Sequence, residues 1–293
     1  MRIELESVRR RFGSVVALDG IDLCLASGSR TALVGPNGSG KSTLIRIVCG
    51  LIGHEGRVAI DGLDPLTDRA KLAPRVAYVP QVAPRLSATV GELTAAVCRL
   101  RRSPQEPILD AARGIGLDPV ALRGKPLRSL SGGTRQKLLA AFALGSGAEL
   151  LVLDEPTASM DAMSRTRFFD LVQLLDPRPT LLLCSHRLDE IRNLVDRVVA
   201  LEEGKVDHDG PATQYFAATG RSVVELRTHN GRASTFLLEH GFQQSGTGWW
   251  RTTIGTASRG ELVREVSDRL GTELEDIVVR DVEESRSGPE TRR

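Results

Sequence analysis

Apolar residues along the first two thirds of the chain switch repeatedly between strand-like runs and helix-like spacing. Residues 31–35, TALVG, form a short β-rich run. The apolar residues after it recur at helical spacing: Leu44, Ile47, Val48 and Leu51. Strand, loop, helix and strand alternate in this way from Arg2 to Val206. The pattern predicts an α/β fold in which a parallel core sheet, flanked by helices, joins an antiparallel N-terminal β-region.

The strand pattern stops in the middle of this region. Residues 90–100 and 107–116 have helical patterns instead, and they predict a helical subdomain of about residues 84–135. Residues 203–211, EGKVDHDGP, are typical of a small hairpin. We expect one large domain to span residues 1–218.

Composition and element order change from Arg221 onward. The pattern predicts strands at 222–227, 242–245, 248–254 and 274–281, and helices at 232–240 and 257–270. This βαββαβ order is that of a split βαβ, ferredoxin-like domain, so we expect a small α+β accessory domain over residues 219–282. A loosely structured tail is the alternative. We expect residues 283–293 to be disordered.

Charge and cysteine usage exclude several classes of protein. The formal net charge is +2, which does not indicate nucleic-acid binding, and we interpret the basic runs at 9–11 and 99–102 as solvated faces. The four cysteines have no paired spacing, so they are predicted to be buried small residues in a reducing compartment. No apolar run reaches the ~18 residues that a membrane span requires. We therefore expect a soluble protein whose membrane role, if any, comes through a partner.

The stretch VGPNGSGKST, residues 34–43, lies between the predicted strand and helix. It fits the pattern GxxxxGK followed by Ser or Thr, which in this context cradles the phosphates of a nucleoside triphosphate. Glycines allow backbone N–H groups to turn inward as an anion nest, while Lys41 reaches the β- and γ-phosphates and Ser42 offers its hydroxyl to Mg²⁺. A capped glycine turn alone would not explain the lysine. The predicted nucleotide-binding residues are Gly35, Pro36, Asn37, Gly38, Ser39, Gly40, Lys41, Ser42 and Thr43.

A second candidate anion site lies in the stretch RSLSGGTRQKLLAAFAL, residues 128–144. Ser131, Gly132 and Gly133 place a hydroxyl and free backbone N–H groups at the start of a predicted helix. One chain does not need two such sites for one triphosphate. A second copy of the chain would use this site, because its own phosphate loop could close over the γ-phosphate from the opposite side.

Together these stretches resemble the nucleotide-binding subunit of an ATP-binding cassette (ABC) transporter. The family signature LSGGQ is matched by residues 130–133, with Thr134 in the last place. ELLVLDEPT, residues 149–157, resembles the Walker B strand. The resemblance implies that Asp154 holds the Mg²⁺ shell and that Glu155 is the general base that orients the attacking water.

Four further positions match the order of the family's motifs. Asp161 falls at the D-loop aspartate, and Gln81 falls in the Q-loop, which senses Mg²⁺ and water and faces the transmembrane partner. His186 matches the switch histidine that contacts the γ-phosphate, although a lone histidine after a strand is more often a capping or core residue. Phe12 stands where the family usually has a tyrosine that stacks on adenine, and a phenylalanine can stack in the same way. The alternative is that Phe12 packs in the core.

The resemblance implies an ATP-hydrolysing subunit that binds ATP and Mg²⁺ and dimerises with a second copy or a homologous ABC subunit. It would drive a separate transmembrane permease from the cytoplasmic face of the cell membrane, with no direct nucleic-acid partner. The alternatives are a soluble ABC ATPase acting on a macromolecular partner, such as ribosomes or DNA, and a non-ABC NTPase switch. The short helical region and the appended C-terminal domain look more like exporter-type subunits than like metabolite importers. The stretch LSGGTRQK at 130–137, the histidine of CSH at 184–186 and the C-terminal tail also resemble the ATPase of copper-site maturation in nitrous-oxide reductase, and other exporter ATPases share these traits.

Overall fold

The computed structural model describes residues 1–185, 187, 191–229, 234–255 and 258–282. The chain divides into two compact units by its contacts. The N-terminal unit comprises Met1–His186 and Asn193–Gly210, and the C-terminal unit comprises Arg187–Arg192 and Pro211–Arg293.

The N-terminal unit contains alternating strands and helices. Its strands are β1 (Ile3–Phe12), β2 (Val15–Leu25), β3 (Arg30–Val34), β4 (Glu55–Ile60), β5 (Val76–Val79), β6 (Leu150–Asp154), β7 (Thr180–Cys184), β8 (Arg197–Glu202) and β9 (Lys205–Pro211). Its helices are α1 (Lys41–Val48), α2 (Arg69–Leu72), α3 (Val90–Arg101), α4 (Glu106–Gly114), α5 (Pro119–Leu122), α6 (Gly132–Leu144) and α7 (Ala162–Gln173).

The described strands of this unit form two sheets. A three-stranded antiparallel sheet has the order β2-β1-β4, and a six-stranded sheet has the order β5-β6-β7-β3-β8-β9. The pairs β5–β6, β6–β7, β7–β3 and β3–β8 are parallel. Every residue of β3, β6 and β7 is buried, as expected for a parallel sheet that is covered on both faces. The predicted parallel core sheet and antiparallel N-terminal region are confirmed.

One hydrophobic core joins the two sheets through α1. Leu44 and Ile47 of α1 are fully buried in the same cluster as Ile3 of β1 and as Leu33 and Leu182 of the parallel sheet. Because interiors are close-packed, this cluster fixes where α1 begins relative to the strand ends.

The helical region lies between β5 and β6 in the sequence. Thr89 and Glu92 form a capping box at the start of α3, in which each side chain accepts from the other residue's backbone N–H. The helices predicted at 90–100 and 107–116 are present as α3 and α4. The subdomain bounds predicted from the sequence, residues 84–135, stay a prediction.

The interpretation of residues 99–102 as a solvated basic face is wrong for Arg101. Its guanidinium donates to the carbonyl oxygens of Pro74, at 2.8 Å, and Val76, at 2.6 Å. Burial lowers the pKa of Arg101. The side chain therefore ties the end of α3 to the start of β5, which charge patterning alone does not reveal.

The prediction that the cysteines are buried is also wrong for Cys24. All four cysteines lie within the described residues and are free, but only Cys184 is buried, whereas Cys49 and Cys98 are half-buried. Cys24 takes an outward position on β2 between buried Leu23 and Leu25, because successive side chains of a strand face opposite sides.

The C-terminal unit has its own sheet. Its described elements are α8 (Ala212–Thr219), β10 (Arg221–Thr228), α9 (Ser234–Glu239), β11 (Gln243–Gly246), β12 (Trp249–Gly255), α10 (Arg259–Leu270) and β13 (Leu274–Val282). The four strands are antiparallel in the order β11-β12-β10-β13. The predicted βαββαβ order is confirmed, and its first helix is seen from Ser234 because residues 230–233 lie outside the described part.

A separate apolar cluster fills this unit. Val224, Leu226, Leu237, Phe242, Trp250, Val266 and Leu270 are its buried members. The strands supply alternate residues to one face and α9 and α10 cover that face, as in α+β domains. The alternative of a loosely structured tail therefore does not hold for the described residues. The division at Gly210 precedes α8. The domain boundary predicted at residue 218 stays a prediction. The predicted disorder of residues 283–293 also stays a prediction, because these residues lie outside the described part of the chain.

No helix among the described residues combines the length and apolar character that a membrane span needs.

Candidate nucleotide-binding site

The glycine loop connects β3 to α1 and lies close against neighbouring backbone. Gly35, Gly38 and Gly40 all have positive φ, at 137°, 85° and 104°. A Cβ atom on Gly35 would lie 2.1 Å from the carbonyl oxygen of Leu201, and one on Gly40 would lie 2.5 Å from that of Ala17. The loop can therefore take this path only with glycine at these positions, as the sequence predicts.

The amino end of α1 is open to an anion. Gly40 is its N-cap and supplies no side-chain hydrogen bond, and the first turn holds no acidic residue. The leading N–H groups of a helix have no partner within the helix and carry partial positive charge. Pro36, Asn37 and Ser39 complete the loop, and Thr43 lies half-buried in the first turn.

Lys41 adds a full positive charge inside the curve of the loop. Its Nζ donates to the carbonyl oxygens of Gly35 and Pro36, both at 2.8 Å. These two bonds fold the side chain back over the loop, so the ammonium group lies near the open N–H groups at the start of α1. A polyphosphate bound at the loop would meet the ammonium group and these N–H groups.

Asp154 and Ser42 meet at the carboxyl ends of β6 and β3. The Ser42 hydroxyl donates to Oδ1 of Asp154 at 3.4 Å. Asp154 is 2% exposed, and burial raises the pKa of its carboxyl group, an effect that the Ser42 hydrogen bond opposes. A buried carboxylate beside a hydroxyl is an oxygen donor set of the kind that Mg²⁺ prefers. These two residues therefore fit a magnesium ion.

Glu155 follows at a sharp turn. It has a φ of 49°, which is uncommon for a residue with a side chain, and its N–H donates to the carbonyl oxygen of Cys184 at 3.0 Å. This bond holds the turn against the end of β7. Backbone strain of this kind is often found at functional sites.

Gln81 and His186 follow the neighbouring strands. Val79, the last residue of β5, pairs with Leu153, so the loop that carries Gln81 leaves the sheet at the end of β6, where Asp154 lies. Cys184, the last residue of β7, pairs with Asp154. His186 itself lies outside the described residues, so its predicted role stays a prediction.

The second predicted anion site lies at the start of α6. Ser131 is the N-cap, and its Oγ accepts from the N–H of Thr134 at 3.2 Å and contacts the Thr134 hydroxyl at 2.8 Å. Ser131 and Gly132 are exposed, and Gly133 is half-buried. Beyond this start, α6 is buried almost all round from Leu138 to Leu144. The exposed turn thus sits on a rigid, embedded helix.

Asp161 is held by two partners. It is the N-cap of α7, where it accepts from the N–H and Oγ of Ser164 at 2.9 and 2.8 Å, and it accepts from Nζ of Lys137 at 2.7 Å. The Lys137 ammonium holds the pKa of Asp161 well below its usual range. Lys137 lies just after the signature stretch, and sequence reasoning did not single it out.

Phe12 ends β1 at the surface with 45% of its side chain exposed. The guanidinium of Arg10 lies 4.6 Å from the centre of its ring, a cation–π contact. The core-packing alternative therefore does not hold, and stacking on adenine stays a prediction.

The sequence profile of the family described as ABC transporter matches residues 18–158, which include the glycine loop, α6 and Glu155. The nickel import ATP-binding protein NikO of Rhodobacter capsulatus is 38% identical over 238 residues, a match that covers 74% of this chain and 91% of NikO. The chain belongs to the ABC transporter ATP-binding family. This family assignment confirms the prediction that the protein is an ATP-hydrolysing subunit of a transporter.

The names of other relatives of this ABC protein refer to different substances. The daunorubicin/doxorubicin resistance ATP-binding protein DrrA of Streptomyces peucetius is 31% identical and covers 79% of this chain and 72% of DrrA. The phosphonates import ATP-binding protein PhnC of Maricaulis maris is 32% identical and covers 72% of this chain and 89% of PhnC. These names do not concern copper-site maturation, and they include import proteins. The exporter type and the narrower resemblance therefore stay predictions.

A solved structure supports the predicted cassette fold. The dimeric structure of MJ0796, a bacterial ABC transporter cassette, matches with a TM-score of 0.64 at 23% identity, covering 72% of this chain and 98% of that one. At this identity the likeness shows the fold alone. The predicted P-loop cassette architecture is confirmed.

The close approach at Gly35 yields a test of the loop geometry. We expect Gly35→Ala to lower the free energy of unfolding by about 2 kcal/mol or more, because a Cβ at positive φ would also clash with the Leu201 carbonyl. Gly53→Ala is the matched control, since nothing lies within 4 Å of its Cβ position. Denaturant unfolding measures both, and equal stability of Gly35→Ala and the parent would contradict the geometry.

Proposed function

We propose that this ABC subunit binds ATP with Mg²⁺ in the glycine loop and completes each site with Ser131, Gly132 and Gly133 of a second ABC subunit. The observation that carries the proposal is the meeting of Ser42 and Asp154, at 3.4 Å, beside Lys41 and the open end of α1. An oxygen donor pair and a cation beside a helix amino end suit a triphosphate with its metal.

Each side chain has a separate part in this proposal. The N–H groups of residues 38–43 and the Lys41 ammonium bind the phosphates and oppose their charge. Ser42 and Asp154 hold the metal, which would neutralise the β- and γ-oxygens when bound. Glu155 orients the attacking water and accepts its proton.

Further residues act around this centre. Gln81 contacts metal and water from the β5 end, and His186 contacts the γ-phosphate from the β7 end. Asp161 lies toward the second subunit, and the exposed ring of Phe12 stacks on adenine. Together these residues exclude water other than the one that Glu155 orients.

The partner is a membrane-embedded permease, and the subunit acts at the cytoplasmic face of the membrane. The relatives' names support this, because they describe ATP-binding proteins of import and resistance systems. They favour transport over a soluble ABC ATPase with a ribosomal or nucleic-acid partner. Their cargoes are chemically unrelated, and cargo selection is expected to lie in the permease.

Glu155→Gln tests the assignment of the base. The amide keeps the shape of the carboxylate but cannot accept a proton, so ATP turnover should fall by about a hundredfold or more while ATP still binds. Lys41→Ala is the comparison, since it removes the cation and should weaken ATP binding itself in calorimetry. Turnover of Glu155→Gln within about threefold of the parent would show that another group is the base.

We further propose that residues 219–282 are an accessory domain for regulation or partner contact. The predicted nucleotide-binding residues all precede Gly210, and the C-terminal unit has its own sheet and core. Because the C-terminal unit has its own sheet and core and contains none of the predicted nucleotide-binding residues, a role other than ATP binding suits it.

A chain that ends at Gly220 tests the accessory domain. It should stay folded and bind ATP with an affinity within about threefold of the full chain, because a domain with its own core tolerates separation. Calorimetry and circular dichroism measure both properties. Precipitation or loss of ATP binding would mean that the N-terminal unit needs the C-terminal unit in order to fold.

A further inference from the structure

Gln136, in the second turn of α6, has a contact that the proposed function does not use. Its side chain is 1% exposed, and its Nε2 donates to the carbonyl oxygen of Pro80 at 2.9 Å. Pro80 immediately precedes Gln81. A buried amide without a partner is costly, so this hydrogen bond specifies where α6 lies against the start of the Q-loop.

Lys137, the next residue, contacts a different loop. Its side chain is 15% exposed, and its Nζ lies 2.7 Å from Oδ2 of Asp161. Asp161 ends the loop that begins at Glu155. Backbone hydrogen bonds from Ala158 to Glu155 and from Met160 to Thr157 make this loop two tight turns. A shift of Asp161 therefore reaches Glu155 through a short, braced segment.

The same helix begins at the second anion site. Adjacent residues of a helix point about 100° apart, which allows Gln136 and Lys137 to reach two loops at once. A Cβ on Gly133 would lie 2.7 Å from the carbonyl oxygen of Ser159, so the helix start also lies directly against the loop after Glu155. Since α6 is closely packed beyond Leu138, it can transmit a displacement as a rigid element.

We propose that Gln136 and Lys137 are positioning residues that link the start of α6 to the two loops that carry Gln81 and Glu155. When the ATP of a second subunit engages Ser131–Gly133, the resulting shift of α6 sets Gln81 through Pro80 and sets Glu155 through Asp161. This inference rests on the proposed function. Neither residue touches nucleotide in this arrangement, so each acts on the rate of hydrolysis through its loop.

The test compares Gln136→Met and Lys137→Met with the parent in the full chain. Methionine keeps the length of glutamine and is one atom shorter than lysine, and in both cases it removes the donor. We expect the Kd of ATP in the single subunit to stay within about twofold, while kcat falls about tenfold and cooperativity in ATP is reduced. Lys137→Arg, which can still pair with Asp161, should restore kcat.

Two exposed residues offer matched controls. Gln173→Met changes a glutamine at the end of α7, and Lys125→Met changes an exposed lysine of the helical region. Neither should alter kcat or cooperativity. An equal loss of kcat in the controls would overturn the assignment of a specific role to Gln136 and Lys137.

Failure of this inference is distinct from failure of the proposed function. A parent that hydrolyses ATP with Glu155 as base, together with full kcat and cooperativity in both methionine variants, would overturn the inference alone. If Gln136→Met does not fold, Lys137→Met still decides, because its site is partly exposed. Parent-like kinetics of that variant would overturn the link to Asp161 and with it the two-loop coupling.

Discussion

The parallel register of four neighbouring strands is the constraint on which the nucleotide site depends. In the order β5-β6-β7-β3, Val79 lies opposite Leu153, and Cys184 lies opposite both Asp154 and Leu33. The loops that follow these strands therefore leave from one edge of the sheet. A slip of one residue in β6 would turn Asp154 to the other face of the sheet, away from Ser42.

This register also explains why a buried carboxylate is tolerated. Asp154 is 2% exposed, and burial by itself favours its neutral form. The hydrogen bonds of Ser42 and Cys184 and the positive charges of Arg46 and Lys41 offset part of that cost. A divalent cation would offset more of it. The burial of Asp154 that lowers the stability of the protein therefore also favours binding of a metal-bound triphosphate.

Features encoded by local sequence were predictable, whereas contacts between distant segments were not. The glycine spacing of the loop, the Ser131 cap and the buried strands follow from local rules, and they match the structure. Gln136 meets its partner 56 positions away, and Lys137 meets its partner 24 positions away. Charge patterning predicts that Arg101 is part of a solvated run, because only the fold brings the carbonyls of Pro74 and Val76 to it.

If two subunits share each ATP, the particle mass of Glu155→Gln should change when ATP is added. We expect a dimer with ATP and a monomer without it. We also expect that adding Ser131→Arg abolishes the dimer, while calorimetry still shows ATP bound to the monomer. A Glu155→Gln protein that stays monomeric in saturating ATP, or a double variant that dimerises equally well, would show that the two subunits do not share the nucleotide in this way.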